Sequence, residues 1–353
     1  MSNLELPMYN DEKQPLCPNA CHCYNLKRRS PSSHKKWWML FGFLSIIALS
    51  HPYWISSCRP INFQTAELGH AKHVCGQPTI PWSGPSIIEV PEAYKSLRIK
   101  QQQHAGLSIP ETGNVRVIQT DAVEHVTVQL DIKVEDEKDQ DRIWIEQEVS
   151  SEGVWDIKIK HDKNKHRPLC VLLDIVVQLP SKDSLASLDI NVLNNDITVQ
   201  HGLEFSKALA LATAKGNIIV HDLISAKTAF ATASGVIQGT VDSLLGNLAA
   251  STANGDVNIF VNNVADKVSA IDIATANGAV ELQMPATYES RFNLTTVLGK
   301  IKVESQTNPE KIHIKKDSTF GRYIAGYYGD EEVKGKKINL TTVVGDVVLT
   351  YNE

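Results

Sequence analysis

The chain has 353 residues, enough for one large domain or two smaller ones with an ample core. Its hydrophobic fraction of 42% and charged fraction of 21% are ordinary for a globular protein, and its net charge of −5 excludes a strongly basic nucleic-acid-binding protein. The charge is divided unevenly, because residues 1–36 carry six Lys or Arg against three acidic side chains and the rest of the chain is acidic.

Residues 1–36 are predicted to form a disordered, basic cytoplasmic tail. They are polar, contain four prolines and end in a basic cluster between Lys27 and Lys36. Cys17, Cys21 and Cys23 are candidates for S-palmitoylation, since cysteines near a membrane and beside basic residues suit acylation, while unmodified thiols fit the pattern equally well. This lone cluster lacks a second ligand pair at zinc-finger spacing, so no metal site is predicted.

The segment Trp37–Ile55 contains no Lys, Arg, Asp or Glu and is predicted to be a transmembrane signal anchor. Its length is close to the minimum for crossing a bilayer, and aromatic residues lie at both ends. A cleaved signal peptide and a buried helix are the alternatives; the long charged leader argues against the first, and the adjacent basic cluster against the second. The positive-inside rule then places the N-terminus in the cytoplasm and the C-terminal domain outside the cell or in a lumen, at the plasma membrane or an endomembrane.

Residues 56–85 contain four prolines and little periodicity, which predicts a stalk or linker. Cys58 and Cys75 are candidates for a disulfide that closes a short loop, given the oxidising compartment that this topology implies. Cys170 lies in the apolar run Leu169–Val177 and is predicted to be a buried free thiol.

Residues 86–353 are predicted to form an all-β domain in which one pattern recurs about every twenty residues between 188 and 351. In six copies a glycine follows three residues after a threonine and precedes an Ile or Val by two residues. The glycines are Gly216, Gly235, Gly255, Gly278, Gly299 and Gly345, and the threonines are Thr213, Thr232, Thr252, Thr275, Thr296 and Thr342. Asn195 takes the glycine position in an earlier copy, Gly113 is a candidate start of the series, and Gly321 marks a degenerate coil in the long gap before Gly345.

The repeat predicts two short strands joined at each glycine, each strand with one apolar face. One repeat cannot bury that face alone, whereas stacked repeats can, and this favours a β-solenoid. The rival is a meander of hairpins, because Asn-Gly between strands is also a strong hairpin signal. The constant period and the repeated threonine favour the solenoid.

The strand that ends in Val176-Val177-Gln178-Leu179-Pro180, followed by coils of the form T-x-x-G-x-φ-x-φ, resembles the adhesin-like DUF4097-type domains of bacterial and fungal surface proteins. The resemblance covers about residues 85–351. It implies a β-solenoid fold and an adhesin-like role. Its motifs are structural, so it implies no catalytic or binding residue.

Two N-glycosylation sequons, at Asn293 and Asn339, occupy equivalent positions before Gly299 and Gly345, and both are predicted to face outward and to carry glycans. The segment Phe320–Asp330, rich in tyrosine and glycine, is the first candidate for a ligand-contacting loop; a loop that merely caps the solenoid is the alternative.

No known catalytic motif is present, and the acids of the repeat fall on distant coils, so we predict a protein that is not an enzyme and needs no cofactor or metal. The predicted function is a membrane-anchored, adhesin-like protein that contacts cell-surface glycans, wall glycans or proteins, without nucleic acid as a partner. The alternatives are a structural protein of the cell envelope or endomembranes without a specific ligand and, less favoured, a β-helix carbohydrate-active enzyme. The oligomeric state is not predicted.

Overall fold

The computed structural model describes residues 75–102, 107–108, 113–162, 169–318, 322–330 and 335–352. The predicted tail with Cys17, Cys21 and Cys23, the anchor Trp37–Ile55 and most of the linker lie outside these residues. Within the described part, no helix is long and apolar enough to cross a membrane, since its two 3-10 helices span only six and three residues. This finding corrects the predicted localisation at a plasma membrane or endomembrane.

The described residues form twenty-five strands. The first nine are β1 (Ile80–Pro81), β2 (Ile87–Glu89), β3 (Ser96–Gln101), β4 (Leu107–Ser108), β5 (Gly113–Gln119), β6 (Thr127–Val134), β7 (Ile143–Val149), β8 (Trp155–His161) and β9 (Leu169–Leu179). The next ten are β10 (Ser187–Val199), β11 (Glu204–Phe205), β12 (Ala208–Lys215), β13 (Ile218–Ser225), β14 (Thr228–Ser234), β15 (Ile237–Leu244), β16 (Leu248–Asn254), β17 (Val257–Val264), β18 (Ala270–Asn277) and β19 (Val280–Pro285). The last six are β20 (Ser290–Thr295), β21 (Ile301–Ser305), β22 (Ile312–Asp317), β23 (Tyr323–Tyr328), β24 (Lys337–Thr341) and β25 (Val347–Asn352). The 3-10 helices are Glu137–Arg142 and Pro309–Lys311.

Nearly all the strands belong to two sheets. Sheet A contains, in spatial order, β6, β9, β5, the second half of β10, β13, β15, β17, β19, β25 and β21. Sheet B contains β7, β8, β3, the first half of β10, β12, β14, β16, β18, β24, β20, β23 and β22. In each repeat the strand before the glycine lies in sheet B and the strand after it lies in sheet A.

Successive coils stack in parallel with their equivalent residues in register. Thr213 of β12 pairs with Thr232 of β14, which pairs with Thr252 of β16, and Ile218 of β13 pairs with Ile237 of β15. A meander of hairpins would pair neighbouring strands antiparallel. The predicted β-solenoid is therefore confirmed. Gly113 pairs with Asn195 in the parallel ladder between β5 and β10, so it does begin the series.

The repeated threonine connects one coil to the next. Each of the six is buried, and its hydroxyl donates a hydrogen bond to the backbone carbonyl at the glycine position of the neighbouring coil. The six pairs are Thr213 to Asn195, Thr232 to Gly216, Thr252 to Gly235, Thr275 to Gly255, Thr342 to Gly278 and Thr296 to Gly345, at 2.9–3.1 Å. A buried hydroxyl needs such a partner, and the bond joins two coils at the bend, which explains why the threonine recurs.

The residue after the glycine forms a second ladder between coils. Where this residue is Asp or Asn, its side-chain oxygen accepts a hydrogen bond from the backbone N–H of a neighbouring coil. Such bonds run from Asn217 to Asp196, from Val236 to Asn217, from Ala279 to Asp256 and from Lys300 to Asp346, at 2.6–2.9 Å. These Asp and Asn side chains therefore have a structural role in coil stacking.

The C-terminal end departs from the predicted simple series. The prediction that Gly321 marks a coil is wrong, because β22 and β23 on either side of it form an antiparallel hairpin that extends sheet B beyond β20. The last two strands, β24 and β25, insert between the coil β18–β19 and the coil β20–β21. The hairpin sequence has no Thr-x-x-Gly element, so it lacks the donor that joins one coil to the next.

Candidate binding groove

An open groove of about 370 Å³ lies on the outer face of sheet A, where β6, β9 and β5 run side by side. Its volume is within the range of about 300–1,000 Å³ that is common for small-ligand sites. The lining residues are Asn114, Arg116, Gln129, Asp131, Asp174, Ile175 and Val176. Successive side chains of a strand point to opposite faces, so polar residues alternate here with the buried apolar residues of the core.

One row of groove side chains is acidic. Asp131 on β6 and Asp174 on β9 are direct partners on antiparallel strands. A carboxylate oxygen of Asp174 accepts hydrogen bonds from the backbone N–H of Asn114 at 2.6 Å and from its side-chain amide at 3.2 Å. Asp131 forms an ion pair with Lys133 at 3.2 Å. Asp174 thus holds β5 against β9 with the same kind of contact that stacks the coils.

The adjacent row contains the cation of the groove. Arg116 is exposed and pairs across the ladder with Val176, which in turn pairs with Gln129 on β6. Within the part of the chain that the structure describes, the guanidinium of Arg116 has no hydrogen bond or ion pair, so its donors are available to a ligand. Ile87 on β2 lies opposite Gln129, is 61% exposed and adds an apolar surface at the end of this row.

A second charged cluster lies on the outer face of sheet B. Arg98 on β3 contacts Asp189 of β10 at 3.0 Å and Asp156 of β8 at 3.4 Å. Burial raises the pKa of Asp189, although Arg98 acts in the opposite direction. The carboxylates raise the pKa of Arg98 even though burial opposes this. The guanidinium is shared among its acidic neighbours and is therefore part of the scaffold.

The two predicted glycosylation sites lie next to each other in sheet B. Asn293 of β20 and Asn339 of β24 are partners in a parallel ladder, and both are half-buried on its outer face. The amide of Asn293 donates to Asn339 at 3.0 Å, and the amide of Asn339 donates to Asp272 at 2.6 Å. Glycosylation of these asparagines stays a prediction, and an attached sugar would have to replace these amide contacts.

The cysteine pairing differs from the sequence prediction. Cys75 forms a disulfide with Cys170, with 5.7 Å between their Cα atoms. The predicted Cys58–Cys75 disulfide is therefore wrong, as is the prediction that Cys170 is a free thiol; Cys58 itself lies outside the described residues. The physical reason is the fold, because it brings two cysteines that are 95 residues apart to one place. A carboxylate of Glu135 lies close to both sulfurs, but sulfurs joined in a disulfide are not thiolate metal ligands.

The predicted ligand loop Phe320–Asp330 is in large part a strand. Tyr328 of β23 is fully buried and stacks on Tyr351 with 3.9 Å between the ring centroids. Tyr323 and Tyr327 lie half-buried on the outer face of sheet B, and Phe320 lies outside the described residues. The sequence predicted none of the groove residues as a site; Arg116 and Gln129, for example, occupy ordinary outward positions of alternating strands. No motif marks these positions, and only the pairing of β5, β9 and β6 brings them together.

Comparison with known proteins gives one family. A family model described as Toastrack DUF4097 matches residues 88–350. Solved structures that match this chain include a candidate adhesin from Bacteroides fragilis (12% identity, TM-score 0.37, 75% of this chain and 94% of that chain). They also include a candidate cell adhesion protein from Clostridium sporogenes (8% identity, TM-score 0.34, 75% and 97%) and a candidate adhesin from Parabacteroides merdae (11% identity, TM-score 0.34, 75% and 94%). No curated protein matches the sequence.

Proposed function

The chain belongs to the Toastrack DUF4097 family, and with this fold as the framework we propose that it is a non-catalytic, adhesin-like recognition protein that binds a carbohydrate in the groove around Arg116. The observation that supports this most directly is the exposed, unpaired guanidinium of Arg116 among the described residues, in an open groove lined by planar polar side chains.

The chemistry of the groove fits a sugar better than a simple anion. Guanidinium, amide and carboxylate groups can each bind vicinal hydroxyls, and the groove offers them from Arg116, Gln129 and Asp131. Two carboxylates at its edge disfavour a highly charged anion. The exposed side chain of Ile87 provides an apolar surface for the C–H face of a sugar ring. A ligand with hydroxyl groups on its edge and an apolar face matches all of these features.

The acidic residues support a non-catalytic role. A glycosidase needs one carboxylic acid and one carboxylate held on either side of the bond that breaks. Here Asp174 accepts two hydrogen bonds from Asn114, Asp131 pairs with a lysine, and the acids of the repeat accept backbone N–H groups between coils. These roles are those of a rigid scaffold that presents a binding surface.

A glycan array probed with the full chain tests the proposal, followed by calorimetric titration of each glycan that binds. We expect Arg116→Ala to weaken binding by about tenfold or more, since it removes a charge-assisted hydrogen bond. Gln129→Ala should weaken it less, and Arg322→Ala, which removes an exposed arginine outside the groove, should leave it unchanged.

Unchanged affinity in the Arg116→Ala variant would place the ligand elsewhere and refute the groove. If no glycan binds while a protein partner is captured through the same groove, the carbohydrate assignment fails. If nothing binds at all, the chain is better described as a structural protein.

A further inference from the structure

The two ends of sheet B are open edges. Strand β7 pairs with β8 at one end, strand β22 pairs with β23 at the other, and neither has a second partner among the described strands. An open edge exposes backbone N–H and C=O groups that can pair with another chain. The charges and the free backbone groups of the β7 edge are complementary to those of the β22 edge. Each edge is therefore suited to the other one.

The backbone of β22 points both of its groups toward the open edge at Ile314 and only its carbonyl at Ile312. The N–H of Gly329 donates to the carbonyl of Lys311 at 3.0 Å, which makes these two residues a hydrogen-bonded pair. Bonded and non-bonded pairs alternate along an antiparallel ladder. The N–H and C=O groups of Ile314 therefore point away from β23, toward the open edge, as does the C=O of Ile312, whose N–H donates to the carbonyl of Pro309.

The backbone groups of β7 alternate in the same way between its neighbour β8 and the open edge. The N–H of Asp162 donates to the carbonyl of Arg142 at 2.8 Å, and the N–H of Ser150 donates to the carbonyl of Val154 at 2.9 Å. Alternation between these two bonded pairs directs the backbone groups of every second residue toward the open edge. These residues are Ile143, Ile145, Gln147 and Val149.

The side chains of these edge residues lie on the inner face of sheet B, where Ile143 is buried and Val149 and Ile314 are partly uncovered. Val149 is 45% exposed and Ile314 is 52% exposed. On both strands the residues with free backbone groups are those whose side chains face inward. Antiparallel addition of one edge to the other would therefore join their hydrogen-bonding groups and keep their apolar side chains on one face.

The charges of the two edges are opposite. Residues 135–152, which include β7, contain eight acidic and two basic side chains, whereas residues 311–317, which include β22, contain three lysines and one acid, Asp317. Glu146 and Glu148 on the outer face of β7 pair with lysines of β8, yet their side chains remain 41% and 49% exposed. On β22 the outer charges are Lys315 and Lys316. Two copies of the same edge would repel each other, and unlike edges would attract.

We propose that copies of this chain associate head to tail, with β7 of one copy added antiparallel to β22 of the next. Strand β22 runs in the direction of the coil strands of sheet B, and β7 runs against them. Antiparallel addition therefore gives both copies the same orientation along the solenoid axis. Such a contact uses different surfaces on the two copies, so it leaves a free edge at each end and allows an open array.

Sedimentation velocity of the full chain over a concentration series tests this proposal without any ligand. The wild type should form species larger than a dimer as its concentration rises, and salt should weaken them. Ile314→Pro removes one outward N–H from β22, and Val149→Pro removes one from β7, without removing a bond to the neighbouring strand. Each should weaken association by about tenfold, whereas the matched controls Ile314→Val and Val149→Ile should associate like the wild type.

The decisive measurement is a mixture. Ile314→Pro weakens only the β22 edge and Val149→Pro weakens only the β7 edge, so at a concentration where neither variant associates alone an equimolar mixture should form dimers and nothing larger. A wild type that stays monomeric, a proline variant that associates normally, or a mixture that stays monomeric would each overturn the proposal. Reversing the two lysines, Lys315→Glu with Lys316→Glu, gives an independent check: association should fall at low salt and approach the wild type at high salt. No change at low salt would also overturn it.

Discussion

The hydroxyl of Thr275 donates a hydrogen bond of 2.9 Å to the backbone carbonyl of Gly255, which lies at the bend of the preceding coil. Thr275 is 2% exposed, so water cannot replace this donor. Strand pairing holds neighbouring coils along their flat faces, and the threonine bond holds them at the bend. The threonine and the glycine vary least among the residues of the repeat. They are thus the two partners of the hydrogen bond that joins one coil to the next.

Replacing Thr275 by valine should lower the free energy of unfolding by about 1–3 kcal/mol. Valine keeps the shape and the preference for strands but leaves the carbonyl of Gly255 without this donor. Urea denaturation measures the loss. Thr198→Val makes the same change on the outer face of β10 and should cost less than about 0.5 kcal/mol. Equal costs for the two variants would show that the bond between coils contributes little.

Replacing Gly255 by alanine should cost more than the ordinary penalty for a left-handed backbone. Gly255 has φ +148°, and an added Cβ would lie 2.0 Å from the carbonyl oxygen of Gly235. Gly202, with φ +79° and nothing within 4 Å of its added Cβ, provides the control. We expect about 1–2 kcal/mol for Gly202→Ala and at least about 2 kcal/mol more for Gly255→Ala, measured by urea denaturation. Similar losses would mean that the coils can move apart at the bend.

The sequence was sufficient to predict the solenoid because the residues that align one coil with the next lie close together in the chain. Every coil needs the same threonine and the same glycine, so the contact between coils leaves a period in the chain. The groove has no such signature. Arg116 and Gln129 meet only because β9 lies between β5 and β6, and a single outward arginine in a strand is unremarkable.

The wrong predictions share a cause. Cys75 was assigned the cysteine nearest in sequence on its side of the predicted anchor, although its partner Cys170 is 95 residues away. Gly321 was assigned a coil because it divides the gap between Gly299 and Gly345 evenly. The hairpin around it results from antiparallel pairing of β22 with β23, which residue spacing cannot reveal. Contacts that occur once leave no repeat, and only the assembled fold identifies them.

The disulfide provides a test that separates the observed pairing from the one expected from spacing. Cys170→Ser should lower the free energy of unfolding by about 2–5 kcal/mol, because the bond closes a long loop in the unfolded chain. Cys58→Ser should leave stability unchanged if Cys75 pairs with Cys170. Urea denaturation with and without reductant measures both effects, and reductant should remove the difference between the wild type and the Cys170→Ser variant. Destabilisation by Cys58→Ser alone would favour the pairing expected from spacing.

The Asp189 carboxyl predicts a specific pH dependence of stability. Burial raises its pKa in the folded chain above the ordinary value of 3.8, and Arg98 only partly opposes this. The folded state therefore holds the proton more tightly than the unfolded state does. The resulting stabilisation is complete below about pH 3.8 and is lost as the pH rises through the raised pKa. Asparagine at this position does not titrate, so the stability of Asp189→Asn relative to the wild type should increase as the pH rises from about 3.8.

Urea denaturation of both proteins across a pH series measures this difference. A difference for Asp189→Asn that is constant, or that falls as the pH rises, would show that Arg98 fully compensates the buried carboxylate. Because Arg98 also pairs with Asp156 at 3.4 Å and with Glu152 at 3.8 Å, it serves three acids, and we expect burial of Asp189 to dominate.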